Sequence, residues 1–235
     1  MKSIDVCLTP DLLHLHAIDN TIVVVADIFR ATSCMVTGLA YGIESITPVA
    51  TVEECYAYQQ KGYFAAAERN AMKVEGFELD NSPFSYMDDR LVGGHVAMTT
   101  TNGTLSITKA KADAVKVLVG AFLNLGAVAN YLQSQSYDVL VLCAGWKGRV
   151  NLEDTLFAGA LVEALKEEYM IAEDSALMAM RAYQQAKDDL LGYVSNSSHV
   201  RRLQRLGIQK DISYCLQRDL YDVVPILRGS TLVGM

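Results

Sequence analysis

No stretch of the sequence approaches 18 consecutive apolar residues, and the amino terminus, MKSIDVCLTPDLL, has no long apolar segment. Neither a membrane-spanning helix nor a secretory signal is expected, and a soluble, cytoplasmic protein is. Positive charge is also short: 20 Lys and Arg face 27 Asp and Glu, a net charge of −7, with no basic stripe. Nucleic acid is therefore not an expected partner. Cys7, Cys34, Cys55, Cys143 and Cys215 are odd in number and contain no C-x-x-C pair. That excludes a zinc knuckle and argues for reduced thiols over a disulfide framework. The four histidines, His14, His16, His95 and His199, are too few and too dispersed for a His-rich metal site; His14 and His16 read as a hydrated pair in a loop. There is no Pro/Ser-rich linker, low-complexity tract or block of charge. The 235 residues are expected to form one domain, or two tightly merged lobes over about 1–120 and 121–235. Common hydrolase signatures are missing too. There is no G-x-S-x-G, H-E-x-x-H, G-x-G-x-x-G or P-loop, and Asp27 is followed by Ile28 and Phe29, so no D-x-D-x-[TV] starts there.

What is present is a rhythm. TIVVVAD (21–27) is a β-branched run typical of a strand buried on both faces. ATSCMVTGLAYG follows as a helix with Gly42 at its carboxyl end, then IESITPVA as a strand. Thr51 and Glu54 form a capping box for a helix that Gly62 ends, and YFAAA is the next strand. HVAMTT, AVKVLVG and YDVLVLCAG predict strands; TLSITKAKA, LNLGAVANYLQSQ and residues 152–166 predict helices, the last capped by Asn151. The tail reads as helices over 173–190, 197–206 and 211–217, then an edge strand DVVPIL, because Pro225 is poorly tolerated in a central ladder. This alternation implies an α/β fold, a layered α/β/α sandwich with a largely parallel or mixed sheet.

In such sheets ligands bind beyond the carboxyl ends of the strands. That rule selects residues 27–32, 68–83, 99–104 and 143–154. DIFRAT places Asp27, Arg30 and Thr32 at a strand-to-helix junction, where an anion meets a hydroxyl, a guanidinium and helix N–H groups. Glu68, Asp80, Asn81 and Ser82 supply hard oxygens or an ordinary turn. TTTNGT gathers Thr100, Thr101, Asn102, Gly103 and Thr104 into a cradle for an oxyanion, or else into a capped Asx turn. Cys143 and Arg149 match C-x5-R, the pattern of cysteine phosphatases, but Leu142 and Val150 are not the flanking residues that chemistry uses. Glu153 and Asp154 cap the following helix or neutralise a cation.

Taken in order, VVVADIFRAT, GIESITPVATVEEC, AERN, GFELDNSP, MTTTNGT, GAFLN, CAG and NLED resemble the 2-phosphosulfolactate phosphatase (ComB-like) family over most of residues 20–165. The resemblance implies Mg²⁺-dependent hydrolysis of (R)-2-phospho-3-sulfolactate to 3-sulfolactate and phosphate, a step towards coenzyme M. It carries over Asp27, Arg30, Glu68, Asn81, Ser82, Thr101, Asn102, Gly103, Thr104, Asn124, Cys143, Glu153 and Asp154. Asp27, Arg30, Asn102 and Cys143 are then catalytic, and Asp27, Glu68, Glu153 and Asp154 are the carboxylates for Mg²⁺. Ala67 and Asp80 stand where the family tends to have glycine. His199 and Arg202, three residues apart in SSHVRRLQRLG, are candidates to meet the substrate's other anionic groups, while Arg201 reads as part of a solvated helix face. A phosphoenzyme on Cys143 with Arg149 as clamp, and a non-catalytic binder of phosphorylated acids, remain as alternatives. A homo-oligomer is left open.

Overall fold

The computed structural model describes residues 2–69 and 72–235. Its strands are β1 (Ser3–Cys7), β2 (Thr21–Ala26), β3 (Ser45–Pro48), β4 (Phe64–Arg69), β5 (Met72–Lys73), β6 (His95–Thr99), β7 (Lys116–Gly120), β8 (Asp138–Cys143), β9 (Met170–Ile171), β10 (Pro225–Arg228) and β11 (Thr231–Gly234). They form one mixed sheet in the order β5-β4-β6-β3-β11-β10-β7-β2-β8-β1-β9. β9, β1, β8, β2 and β7 run parallel, and so do β3, β6 and β4. The hairpin β10–β11 joins the two groups through antiparallel pairs with β7 and β3. All six residues of β2 are buried, as its unbroken apolar run predicts.

The helices are α1 (Ala31–Ala40), α2 (Val52–Gln59), α3 (Gly103–Lys111), α4 (Leu125–Gln133), α5 (Leu152–Leu165), α6 (Asp174–Ala186), α7 (Leu190–Val194), α8 (Ser198–Arg205) and α9 (Gln209–Cys215). α1 packs against α3, and α5 packs against both α4 and α6. Nearly all of α1 is buried, and it buries its hydroxyls bonded: Ser33 Oγ donates to Ile28 O at 2.9 Å, and Thr37 Oγ1 meets the Tyr214 hydroxyl at 3.0 Å. The Thr51 capping box forms as predicted: Glu54 N–H donates to Thr51 Oγ1 and Ala50 N–H to Glu54 Oε2. Asn151 sits at the start of α5 but makes no side-chain cap. Among the described residues no helix is long and apolar enough to cross a membrane.

One expectation is overturned at the carboxyl terminus. β10 is not an edge strand: it lies between β7 and β11. Pro225 is its first residue, a position where a missing N–H costs the ladder little. β1, β5, β9 and β11 lie outside the strands the sequence predicts. Strands from both halves of the chain interleave, with β2 paired to both β7 and β8.

β4 and β2 are separated in the sheet by β6, β3, β11, β10 and β7. At about 4.8 Å per strand a flat sheet would hold them roughly 29 Å apart. Glu68 Oε2 on β4 nevertheless lies 3.3 Å from Nη2 of Arg30, just beyond β2. The sheet is therefore strongly curled, and its curl brings the carboxyl ends of the two parallel groups face to face.

Candidate active site

Between those strand ends lies a cavity of about 220 Å³. Its first wall is the loop after β2. Asp27 N–H donates to Thr32 Oγ1 at 3.0 Å, and Thr32 N–H donates back to Asp27 O at 3.0 Å. This closed loop starts α1 and leaves the Asp27 carboxyl on the cavity wall. Burial pushes that carboxyl up to about 6; His199 opposes the shift, Glu153 adds to it, and the Ala31 and Gly103 backbone N–H groups oppose it. Arg30 is 5% exposed and forks between Glu68 of β4 and Asp211 of α9.

The TTTNGT loop forms the second wall. Thr104 N–H donates to Thr100 Oγ1 at 3.1 Å, and the Thr104 hydroxyl donates to Thr100 O at 2.7 Å. The loop is thus clasped by its own threonines. Asn102 occupies the N-cap position of α3, yet its amide makes no capping bond, and Asn102 and Thr101 line the cavity. Gly103 allows a close approach: a Cβ there would lie 2.9 Å from Asp27 Oδ2 and 2.8 Å from the Ala31 Cβ.

Beneath the cavity, α5 begins with Glu153 and Asp154, both fully buried. Asp154 accepts from Ile28 N–H at 2.8 Å, from Gly145 N–H at 3.1 Å and from the Asn151 amide at 3.4 Å. It fastens the loop after β8 to the loop after β2. Burial holds its carboxyl well above the ordinary carboxylate range, Glu153 and Asp27 push the same way, and those backbone N–H groups oppose them. Glu153 Oε1 holds His199 Nδ1 at 2.5 Å, while Glu153 Oε2 is buried with no partner among the described residues. His199 Nε2 faces Arg202 Nη2 at 3.3 Å on the rim.

The structure separates the expected site residues into three sets. Asp27, Arg30, Glu68, Asn81, Thr101, Asn102, His199 and Arg202 line the cavity. Thr32, Gly103 and Thr104 shape its walls, and Glu153 and Asp154 lie behind them. Three stand apart. Asn124 is fully buried at the end of β7, where its amide is occupied by Ala121 N–H and the carbonyls of Val223 and Val119. It pins the carboxyl-terminal segment and does not line the cavity. Ser82 sits at the N-cap position of the short 3₁₀ turn Pro83–Tyr86 without a capping bond and does not line the cavity. Cys143 is fully buried and does not line the cavity; burial first, then Asp154, Cys7 and Glu153, push its thiol well above the ordinary range. Such a thiol is poorly suited to act as a nucleophile. Asp80 makes a turn, accepting from Ser82 N–H and the Ser85 hydroxyl.

The four carboxylates expected to hold Mg²⁺ are likewise divided. Among the described residues, no group of three or more His, Cys, Asp or Glu stands close enough to hold a metal ion. Glu68 is paired with Arg30, and Asp154 is saturated by N–H donors. Asp27, on the wall, and behind it Glu153, whose Oε2 has no partner among the described residues, are the carboxylates left to offer oxygens. Two carboxylates suit Mg²⁺ where a bound phosphate and water complete its shell.

Sequence reasoning does not find Asp211, Trp146 or Lys147. Asp211 reaches Arg30 from 181 residues away in sequence, and nothing local marks it. Trp146 and Lys147 lie in a loop that strand-end logic selects, but the residues that stand out there by pattern are Cys143 and Arg149.

Over residues 7–230 the chain matches the family model described as 2-phosphosulpholactate phosphatase. It is 40% identical over 210 residues to a Thermotoga maritima protein named "probable 2-phosphosulfolactate phosphatase", covering 89% of this chain and 90% of that one. A Thermotoga petrophila protein of the same name is 39% identical with the same coverage. One from Clostridium beijerinckii, again so named, is 35% identical over 228 residues, 94% of this chain and 95% of its own. A match that spans every wall of the cavity, from Asp27 to Arg202, together with relatives alignable almost end to end, leads to one conclusion: the chain belongs to the 2-phosphosulfolactate phosphatase family.

Proposed function

We propose that the protein hydrolyses (R)-2-phospho-3-sulfolactate to 3-sulfolactate and phosphate with Mg²⁺ as cofactor, a step of the coenzyme M type. The carrying observation is the cavity itself. In a chain of net charge −7, Lys147, Arg202 and His199 join the carboxylate-paired Arg30 on one cavity, beside an Asn102 amide that makes no capping bond. A small polyanion is the ligand such a lining suits.

Asp27 and Glu153 would hold Mg²⁺, which would supply positive charge near the phosphoryl oxygens. The chain's own groups do the rest. The Asn102 amide and Thr101 hydroxyl donate to phosphoryl oxygens as charge shifts onto them, and their loop is pre-set by the Thr100–Thr104 clasp. Arg30, held by two carboxylates, fixes the distance between the two halves of the site. Water attacks phosphorus in line, and the bond from phosphorus to the lactate oxygen breaks. His199 is oriented through Nδ1 by Glu153, and its Nε2 accepts from Arg202, so the pair holds that guanidinium beside the cavity, while the proton given up by the attacking water reaches the leaving oxygen through solvent. The buried, acid-flanked Cys143 thiol favours this direct route over a phosphocysteine. The five free, buried cysteines fit a reducing, cytoplasmic setting.

The test is phosphate release from a panel of 2-phospho-acids, with 3-sulfolactate identified as the second product. Tight binding of 2-phosphosulfolactate without release of phosphate would favour a non-catalytic binder and refute the proposal.

A further inference from the structure

Residues Trp146–Arg149 form a tight turn closed by reciprocal backbone bonds, Trp146 N–H to Arg149 O at 2.9 Å and Arg149 N–H to Trp146 O at 3.0 Å. Its two central residues have positive φ, +50° at Lys147 and +74° at Gly148. That is the pattern of a two-residue primed turn. Lysine is uncommon in the left-handed region, so this lysine is held in place against its local preference. The turn fixes the Trp146 indole at the cavity mouth. Over that one ring lie two cations, Lys147 Nζ at 4.8 Å and Arg202 Cζ at 4.6 Å from its centroid. Arg202 arrives independently, from α8.

Both cations lack a counter-ion: among the described ion pairs, neither Lys147 nor Arg202 has a carboxylate partner. Arg30, deeper in the same cavity, has two. Two like charges gathered on one indole, in an acidic chain, repel each other unless an anion joins them. Arg30 is already compensated and does not supply that unbalanced charge. A larger cavity, about 560 Å³, lies toward the amino ends of β1, β2 and β8, but no Lys or Arg lines it.

We infer that Lys147, Arg202 and the Trp146 ring form a subsite for the substrate's non-reacting acid group, a sulfonate or carboxylate, and that this subsite selects phosphate esters carrying a second strong anion. The inference rests on the phosphatase reading for the position of the phosphate, since phosphate at the Asn102 loop leaves the acid end at the rim.

The test compares wild type with Lys147→Gln, Arg202→Gln and the double variant. Both side chains are exposed, so folding is checked by melting temperature alone. The readout is kcat/KM for 2-phosphosulfolactate divided by that for phenyl phosphate, which has no second acid group. Removing one charge-assisted bond to the acid group lowers this ratio roughly 10- to 100-fold in each single variant, mostly through KM. An equal loss on both esters, or no loss on either, overturns the subsite. A second measurement needs no turnover: calorimetric binding of 3-sulfolactate, which keeps the sulfonate and carboxylate but lacks the phosphate. Binding that weakens about tenfold or more in each variant supports the subsite. No binding to wild type, or equal binding by all, overturns it. Failure of the phosphatase reading has another signature: wild type frees phosphate from neither ester, while 3-sulfolactate binding still depends on Lys147 and Arg202.

Discussion

Gly103→Ala isolates the part of the site where backbone, helix start and carboxylate are packed most tightly. The new methyl carbon would sit 2.8 Å from the Ala31 Cβ, 2.9 Å from Asp27 Oδ2 and 3.2 Å from Thr100 Oγ1. Carbon–carbon contacts prefer about 3.5–4.0 Å, so the junction of α1 and α3 must open by roughly 0.7–1.2 Å. None of the three neighbours is a flexible chain end. Overpacking of this kind costs about 1–3 kcal/mol, which in a chain of this size lowers Tm by roughly 2–12 °C. The effect on rate is expected to be larger than the effect on stability. Asp27 moves with the junction, and a displacement near 1 Å in a catalytic group costs about 10²-fold. Gly62→Ala is the matched control. Gly62 has φ +88° and open space around it, so alanine there strains the backbone by about 1–2 kcal/mol at a site away from the cavity. The assay is phosphate release from 2-phosphosulfolactate beside a thermal melt for each variant. A folded Gly103→Ala enzyme with wild-type kcat/KM, or with a loss no greater than that of Gly62→Ala, refutes the placement of Asp27 at the reacting centre.

Other outcomes follow from the same geometry. Chelation by EDTA abolishes turnover and Mg²⁺ restores it; full activity after bound metal has been stripped would remove Asp27 and Glu153 from a metal role. Asn102→Ala lowers kcat by about 10²–10³ with little change in Tm, because its amide makes no capping bond to the helix it precedes. Asn124→Ala does the reverse, costing about 2–4 kcal/mol by leaving buried groups unpaired, and comparable rate losses in both would contradict their separation. Cys143→Ser keeps a substantial rate, and no phosphate is found on Cys143 by mass spectrometry of a quenched reaction; a trapped phosphocysteine would restore the C-x5-R mechanism. Asp27 holds its proton up to about 6 when folded against 3.8 ordinarily, so between these values the native state binds more protons than the unfolded chain. The Asp27 contribution to stability of the metal-free protein therefore falls as pH rises through that window. Melting curves for Asp27→Asn should show a shallower slope, with Asp154 still contributing, and an unchanged slope would assign it to other groups.

Much of this was legible in the residues before any coordinates. The β-branched run 21–26, the Thr51–Glu54 box and the Gly at positions 42, 62 and 207 are local signals, set by side-chain sterics and short-range hydrogen bonds. They place β2 and the helix ends to within a residue or two. Strand-end logic then singled out the loops holding Asp27, Glu68, Asn102 and Trp146, since a ladder's carboxyl ends can be counted along a sequence. Local chemistry misjudged residues with two plausible uses. Asn124, Thr32 and Thr104 have the groups to bind a phosphate, yet each satisfies backbone that burial has cut off from water. Pro225 pointed to an edge strand, but it opens a central one. Only the tertiary structure decided that β10–β11 splits the sheet into two opposed parallel groups. Pairing across such distances depends on the whole core, because strand neighbours are chosen by buried area and not by adjacent residues. The curl that results carries Glu68 and Asp211 to Arg30, and α8 carries Arg202 to Trp146. None of these partners lies within reach in the sequence, so their meeting belongs to the fold alone.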